Sequence, residues 1–210
     1  MSYIKNIIFD LGGVILNLNY QATIDAFKQL GVNNFEALYN KKKQTILFND
    51  YEKGLISSKN FIYQLQQTTA LSKKQIINAW NAMLLDLPKE RLDFILSLKN
   101  NYKTFLLSNT NEIHIEYFEN QLSKKNHLSL FNNCFDKIYY SSRLGDRKPN
   151  ASCFEKVIKE NNLISKETLF IDDSIQHINT AKKMEINTYL MEQNKSIIDL
   201  FPDIIQQAHH

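Results

Sequence analysis

The stretch Ile4-Lys5-Asn6-Ile7-Ile8-Phe9-Asp10-Leu11-Gly12-Gly13-Val14 sets a nearly continuous apolar run against a carboxylate and a glycine pair. An apolar run that does not alternate with polar residues is what a parallel strand covered on both faces requires. Asp10 then stands at the carboxyl end of that strand, the edge at which open α/β sheets bind their ligands. Gly12 and Gly13 allow the backbone to turn tightly and to approach a bound group closely.

Four further runs have the same character: Thr104 to Leu107, Ile138 to Ser141, Thr168 to Ile171 and Thr188 to Met191. Helical spacing separates most of them. Phe154, Val157 and Ile158 share one face of Ala151 to Asn161, and Ile175, Ile178 and Ala181 share one face of Ser174 to Met184. Strand and helix in alternation predict right-handed βαβ crossovers and an α/β fold with a doubly wound, mainly parallel, Rossmann-like sheet. The first interval breaks this rhythm. Between strands one and two the chain reads as helical over Gln21 to Leu30, Asn60 to Thr68 and Ser72 to Leu84, with Ser72 and Gln75 spaced for a capping box. That is too much chain for one crossover. The expectation is an α-helical cap inserted at residues 19–86, with residues 1–18 and 87–210 forming the catalytic core and Lys89 to Lys99 supplying the ordinary crossover helix.

The 210 residues are 43% hydrophobic and 22% charged, a globular balance that argues against disorder over most of the chain. The net charge of +3 comes from scattered lysines without interleaved aromatic clusters, which argues against nucleic-acid binding. No apolar run approaches the ~18 residues of a membrane span, and the first residues lack a signal peptide's cleavage pattern. Cys134 and Cys153 belong to no CxxC pair and to no metal-ligand spacing, so they are expected as buried, reduced thiols of a cytoplasmic protein. His209 and His210 are assigned no function. Monomer and dimer are both compatible with the sequence.

The polar residues at the strand ends carry the chemistry. Strand one ends in Asp10, strand two in Ser108-Asn109-Thr110-Asn111, and strand four in Asp172-Asp173-Ser174, while Gly145-Asp146-Arg147-Lys148-Pro149 follows strand three. Asp10 and Asp173 together suit a hard cation with oxygen ligands, which is Mg²⁺ chemistry. Asp172 either holds a metal-bound water or orients Lys148. With a cation beside it, Asp10 can attack phosphorus in line and form an acyl phosphate. Ser108, Asn109 and Lys148 can hold the transferring oxygens as their charge shifts. Taken singly, each feature has a plainer reading: a carboxylate as a helix cap, Ser108 as a turn hydroxyl, Lys148 as a solvated surface lysine. Their joint occurrence, each at its strand end, points to phosphoryl transfer.

Ile7-Ile8-Phe9-Asp10-Leu11-Gly12-Gly13-Val14, Leu106-Leu107-Ser108-Asn109-Thr110, Arg147-Lys148-Pro149 and Phe170-Ile171-Asp172-Asp173 together resemble the four motifs of the haloacid dehalogenase superfamily. The insert after the first motif resembles that superfamily's helical cap. Within it, Tyr51-Glu52-Lys53-Gly54-Leu55-Ile56-Ser57 resembles the cap segment of a bacterial subgroup that includes sugar-phosphate phosphatases such as α-D-glucose-1-phosphate phosphatase, and Trp80 sits where that subgroup tends to carry a tryptophan. The resemblance implies a Mg²⁺-dependent phosphatase of a small phosphorylated metabolite. It makes Asp10 nucleophile and metal ligand, gives the Gly12 carbonyl to the metal, and sets Asp173 on the metal with Asp172 in support. Ser108 and Asn109 would bind phosphate and Lys148 would stabilise phosphate and nucleophile, with Leu11, Gly12 and Glu52 completing the substrate contacts.

Two positions depart from the pattern. Most phosphatases of the superfamily carry a second aspartate two residues after the nucleophile, which protonates the leaving alcohol and later activates water. Here that position is Gly12. Such proton transfers are worth ~10²–10⁴ in rate, so a catalytically impaired phosphate-binding or regulatory protein is the alternative expectation. A metal-bound water, Glu52 or a good leaving group are the open substitutes. His177 stands where relatives commonly have asparagine, about one helical turn past Asp173, and is read chiefly as structural.

Overall fold

In the computed structural model, which describes residues 4–35, 46–192, 195–199 and 201, the five apolar runs form one sheet. His209 and His210 lie outside the described residues, as do positions 36–45 of the expected insert. β1 (Asn6–Phe9) is central. β2 (Lys103–Ser108) and β4 (Thr168–Asp172) flank it, and β3 (Lys137–Tyr140) and β5 (Asn187–Leu190) form the edges. Every pairing is parallel, and Phe9 is in register with both Leu106 and Ile171. In chain order the described helices are α1 (Tyr20–Gln29), α2 (Ile46–Glu52), α3 (Ser58–Thr69), α4 (Lys73–Asn81), α5 (Lys89–Leu98), α6 (Glu112–Lys124), α7 (Leu128–Asn133), α8 (Ser141–Leu144), α9 (Ala151–Glu160) and α10 (Ile175–Lys183).

The three inner strands are mostly apolar because helices cover both faces. Successive strand side chains point to opposite faces, and the core divides accordingly. Ile7, Phe9, Leu106, Leu169 and Ile171 pack with α5, α6 and α7 through Leu92, Ile95, Phe118, Leu122 and Phe131. Ile8, Phe105, Leu107 and Phe170 pack with α9 and α10 through Phe154, Val157, Ile178 and Ala181. Both cysteines are buried and unpaired, one in each layer.

Several expected boundaries shift by one to three residues. β3 stops at Tyr140 because Ser141 opens α8; its hydroxyl accepts from the Thr110 N–H at 2.8 Å and donates to the Thr110 carbonyl at 2.9 Å. α4 stops at Asn81 rather than Leu84, because residues 83–86 leave the helix to pair with residues 17–19. Asn19 N–H donates to Met83 O at 2.9 Å, Leu85 N–H to Asn17 O at 3.0 Å, and Asn17 N–H to Asp86 O at 3.0 Å. β1 begins at Asn6, two residues after the start of the apolar run.

Helices α1 to α4 bury a separate apolar cluster around Phe27, Phe35, Phe48, Tyr51, Phe61 and Trp80. Phe27 stacks on Phe35 with ring centroids 3.7 Å apart, and Tyr51 stacks on Phe61 at 4.1 Å. The Ser72–Gln75 capping box at the start of α4 is present in both directions. This cluster is bound to the sheet layers through α6. Ile113 packs within it, the Ile113 N–H donates to the Tyr51 hydroxyl at 3.2 Å, and Trp80 Nε1–H donates to Asn111 Oδ1 at 3.4 Å.

His114 completes that junction. Its Nε2–H donates to the Trp80 carbonyl at 3.1 Å, its Nδ1 accepts from the Asn111 amide at 3.2 Å, and its ring stacks on Trp80. These partners require the neutral ring, and burial pushes its pKa down to about 4 despite the hydrogen bond to Trp80. A folded value below the unfolded one means that the unfolded chain takes up the proton first, so stability is lost as pH falls from about 6.5 towards 4. The stability difference between wild type and His114→Gln should therefore shrink by roughly 3 kcal/mol between pH 7 and pH 4. Urea unfolding at both pH values measures it, and a constant difference would contradict the buried neutral ring.

Candidate active site

Parallel register brings the ends of β1, β2 and β4 level, and with them Asp10, Ser108 and Asp172. The Asp10 N–H still donates to Ile171 O at 2.9 Å, so the ladder fixes its backbone while the side chain leaves the sheet edge. Lys148 arrives from the loop after α8. Its ammonium lies 2.9 Å from Asp10 Oδ1 and 2.7 Å from Asp172 Oδ2, and its side chain is 0% exposed. A cation this deeply buried persists only with such partners. Burial opposes its charge, but the two carboxylates outweigh burial and raise its pKa.

The carboxylates differ in their surroundings. Asp172 Oδ1 accepts from the Ser174 N–H at 2.7 Å and from His177 Nδ1 at 2.9 Å, while Oδ2 accepts from Lys148. Burial works against its ionisation, yet the Lys148 charge and the His177 hydrogen bond prevail and hold its pKa at about 2. For Asp10 the balance is reversed. Burial raises its pKa, Lys148 only partly offsets that, and repulsion from Asp172 and Asp173 adds to it, giving about 7.

Asp10, Asp172 and Asp173 each bring an oxygen within 4.8 Å of the others. Three carboxylates facing one lysine leave this corner short of positive charge, and all the side-chain donors are hard oxygens. That set fits a small divalent cation of the Mg²⁺ type. Gly13 makes room for the Asp173 carboxylate in this set: at φ +76°, a Cβ there would sit 2.7 Å from Asp173 Oδ2.

A cavity of about 110 Å³ opens over these residues. Of the sequence-predicted set, Asp10, Gly12, Glu52, Asn109 and Asp173 line it, whereas Leu11, Ser108, Lys148 and Asp172 are buried and do not. A Cβ on Gly12 would lie 2.5 Å from Leu18 Cδ1, so Leu18 fills the space that a side chain at position 12 would enter. Asn109 clamps the Lys148 main chain: its Nδ2–H donates to Lys148 O at 2.8 Å and its Oδ1 accepts the Lys148 N–H at 2.9 Å. His177, a cavity-lining residue, points its Nδ1 at Asp172 and is 14% exposed.

Residues 7–191 match the family described as haloacid dehalogenase-like hydrolase. The chain belongs to that family. It is 33% identical over 191 residues to a D-ribitol-5-phosphate phosphatase of Bacteroides thetaiotaomicron, covering 90% of this chain and 92% of the relative. A crystal structure of a mutant haloacid dehalogenase family enzyme from the same organism, in complex with magnesium and inorganic phosphate, superposes with a TM-score of 0.86 at 34% identity, covering 94% of this chain and 98% of that one. A predicted haloacid dehalogenase-like hydrolase from Porphyromonas gingivalis superposes at 0.85 with 32% identity, covering 98% and 99%.

Sequence reasoning gave no role to Arg147, whose Nε lies 3.1 Å from Glu52 Oε2 at the cavity wall. Its place beside Lys148 in the family's third motif was the available signal. Leu18, Tyr20 and Gln176 also line the cavity without having been singled out, since nothing in their spacing separates them from ordinary loop and helix residues.

Proposed function

We propose that this haloacid dehalogenase-like hydrolase is a cytoplasmic, Mg²⁺-dependent phosphatase that cleaves the phosphoric monoester of a small sugar or polyol through a phosphoryl-aspartate on Asp10. The observation that carries this reading is the buried Asp10–Lys148–Asp172 chain with Asp173 beside it at the cavity. The ribitol-phosphate-hydrolysing relative and the solved neighbour holding magnesium and phosphate support it.

Asp10, Asp173 and the Gly12 carbonyl would hold the metal, with Asp172 in support. When bound, the ion would offset the repulsion between the Asp10 carboxylate and the phosphate dianion. The Asp10 carboxylate then attacks phosphorus as the bond to the alcohol oxygen breaks, and that oxygen leaves with the electron pair and takes its proton from solvent water, since Gly12 offers no acid. Lys148, Ser108 and the main chain after Asp10 steady the phosphoryl oxygens. Water next attacks phosphorus, releasing phosphate and freeing Asp10. Residues 19–86 act as the cap, presenting Glu52. Because Gly12 carries no side chain and Leu18 occupies the adjacent space, the second step lacks the usual base and is the slow one.

The test is hydrolysis of ribitol 5-phosphate and p-nitrophenyl phosphate with Mg²⁺. Turnover that EDTA removes and Asp10→Asn abolishes supports the reading; phosphate-ester binding without turnover would favour a phosphate-binding protein instead. Within this scheme the Asn109 clamp gives a further expectation. Asn109→Ala should lower kcat by roughly 10–100-fold, because a loosened Lys148 misplaces the reacting groups, and should affect the inhibition constant of inorganic phosphate less. The opposite split in steady-state kinetics would make the amide a direct phosphate ligand.

A further inference from the structure

We infer that the Glu52–Arg147 pair reads the hydroxyl groups of an uncharged alcohol next to the phosphoryl group and turns away substrates that carry a second anion. The inference rests on the phosphatase reading above and narrows it to a substrate class.

Glu52 is 7% exposed and shares the cavity wall with Asp10. It ends α2, and its neighbours dock firmly on the sheet layers. The Tyr51 hydroxyl bonds Ser58 Oγ at 2.8 Å and accepts the Ile113 N–H. Gly54 packs so tightly on the Ser142 carbonyl that a Cβ would lie 1.9 Å from the oxygen. The carboxylate is therefore delivered to a set position. Arg147, one residue before Lys148, meets it at the same cavity wall, with Nε 3.1 Å from Oε2.

The charge balance then defines what fits. Lys148 is matched by Asp10 and Asp172, and Arg147 by Glu52. Among the described residues the cavity wall carries no further lysine or arginine, and the charge of Asp173 is taken up by the cation it would hold. A carboxylate or second phosphate near the ester would face Glu52 with no cation of its own. A hydroxyl suits the same place, since it can donate to the carboxylate and accept from the guanidinium. The neutral hydrogen-bonding side chains of Tyr20, Ser174 and Gln176 extend that wall.

The experiment compares kcat/KM for ribitol 5-phosphate, p-nitrophenyl phosphate and 2-phosphoglycolate in wild type, Glu52→Gln and Glu52→Gln/Arg147→Gln. The double variant leaves no uncompensated guanidinium. Wild type should favour ribitol 5-phosphate over 2-phosphoglycolate by about 100-fold or more, as expected when a hydroxyl-bonding site meets the wrong group. Both variants should lose on the order of tenfold more activity on ribitol 5-phosphate than on p-nitrophenyl phosphate, chiefly through KM, and should narrow the gap to 2-phosphoglycolate. Equal losses on all three esters would mean that the pair only fastens the cap, and a wild-type preference for 2-phosphoglycolate would reverse the proposed selectivity. Either result overturns the inference while leaving the phosphatase reading intact. No turnover of any ester by wild type would overturn both.

Discussion

Lys148→Met should lower kcat by about 10³-fold and weaken the fold in the same stroke. The two effects share one cause. The ammonium sits between Asp10 and Asp172 at 2.9 and 2.7 Å, and neither its side chain nor that of Asp172 is exposed. Methionine nearly keeps the volume and removes the charge. In the proposed mechanism this deletes the cation that holds Asp10 and would meet the transferring oxygens, a loss of about 10²–10³ for a single donor, with the displaced nucleophile adding to it. In stability it leaves Asp172 buried without its cation, and breaking a buried pair from one side costs about 3–5 kcal/mol. Urea unfolding and saturating-substrate turnover, both with Mg²⁺ present, measure the two losses. A variant within tenfold of wild type in kcat and unchanged in unfolding midpoint would show that Lys148 is not the pivot of the site.

The second large effect is at Gly13. Gly12 and Gly13 read alike in the sequence but should behave differently. Gly13 has φ +76°, and a methyl there would push into the Asp173 carboxylate, 2.7 Å from Oδ2 and 2.9 Å from Cγ. Gly13→Ala should therefore cost about 1–2 kcal/mol of backbone strain. It should also weaken the apparent Mg²⁺ affinity by about 10–100-fold, the range seen when groups that orient metal ligands are disturbed. Gly12 has an ordinary backbone conformation, and a methyl there meets the flexible tip of Leu18, so Gly12→Ala should be the milder change. Mg²⁺ titration of activity in both variants is the measurement. A Gly13→Ala curve that overlays wild type would show that Asp173 does not bind the metal from this position.

The parts that were legible in the sequence were those where one physical demand dominates. The inner strands are buried on both faces, so their apolar runs stand out without periodicity, and polar residues end them at the edge where Asp10, Ser108 and Asp172 meet. Helix α6 was not legible, because its buried face serves two cores. Ile113 and His114 turn to the Phe48–Trp80 cluster, whereas Ile115, Phe118 and Leu122 turn to the sheet. No single stripe results. The short α8 escaped for a different reason: Ser141 continues the run of β3 in sequence, and only its two hydrogen bonds to Thr110 bend the chain away. At the site, the residue types and their order announced Asp10, Lys148 and the Asp172–Asp173 pair. The Asn109 clamp on the Lys148 main chain and the Glu52–Arg147 contact depend on loop geometry and on docking of α2 against residues 110–147, which no local spacing encodes.

The proposed chemistry is covalent and takes place on Asp10. Rapid acid quench of the wild-type enzyme under saturating ribitol 5-phosphate and Mg²⁺, followed by peptide mass mapping, tests it most directly. A phosphoryl adduct is expected on the peptide containing Asp10, built up during turnover because Gly12 supplies no base for its hydrolysis, and absent in Asp10→Asn. Sustained turnover with no adduct, or undiminished turnover by Asp10→Asn, would contradict it.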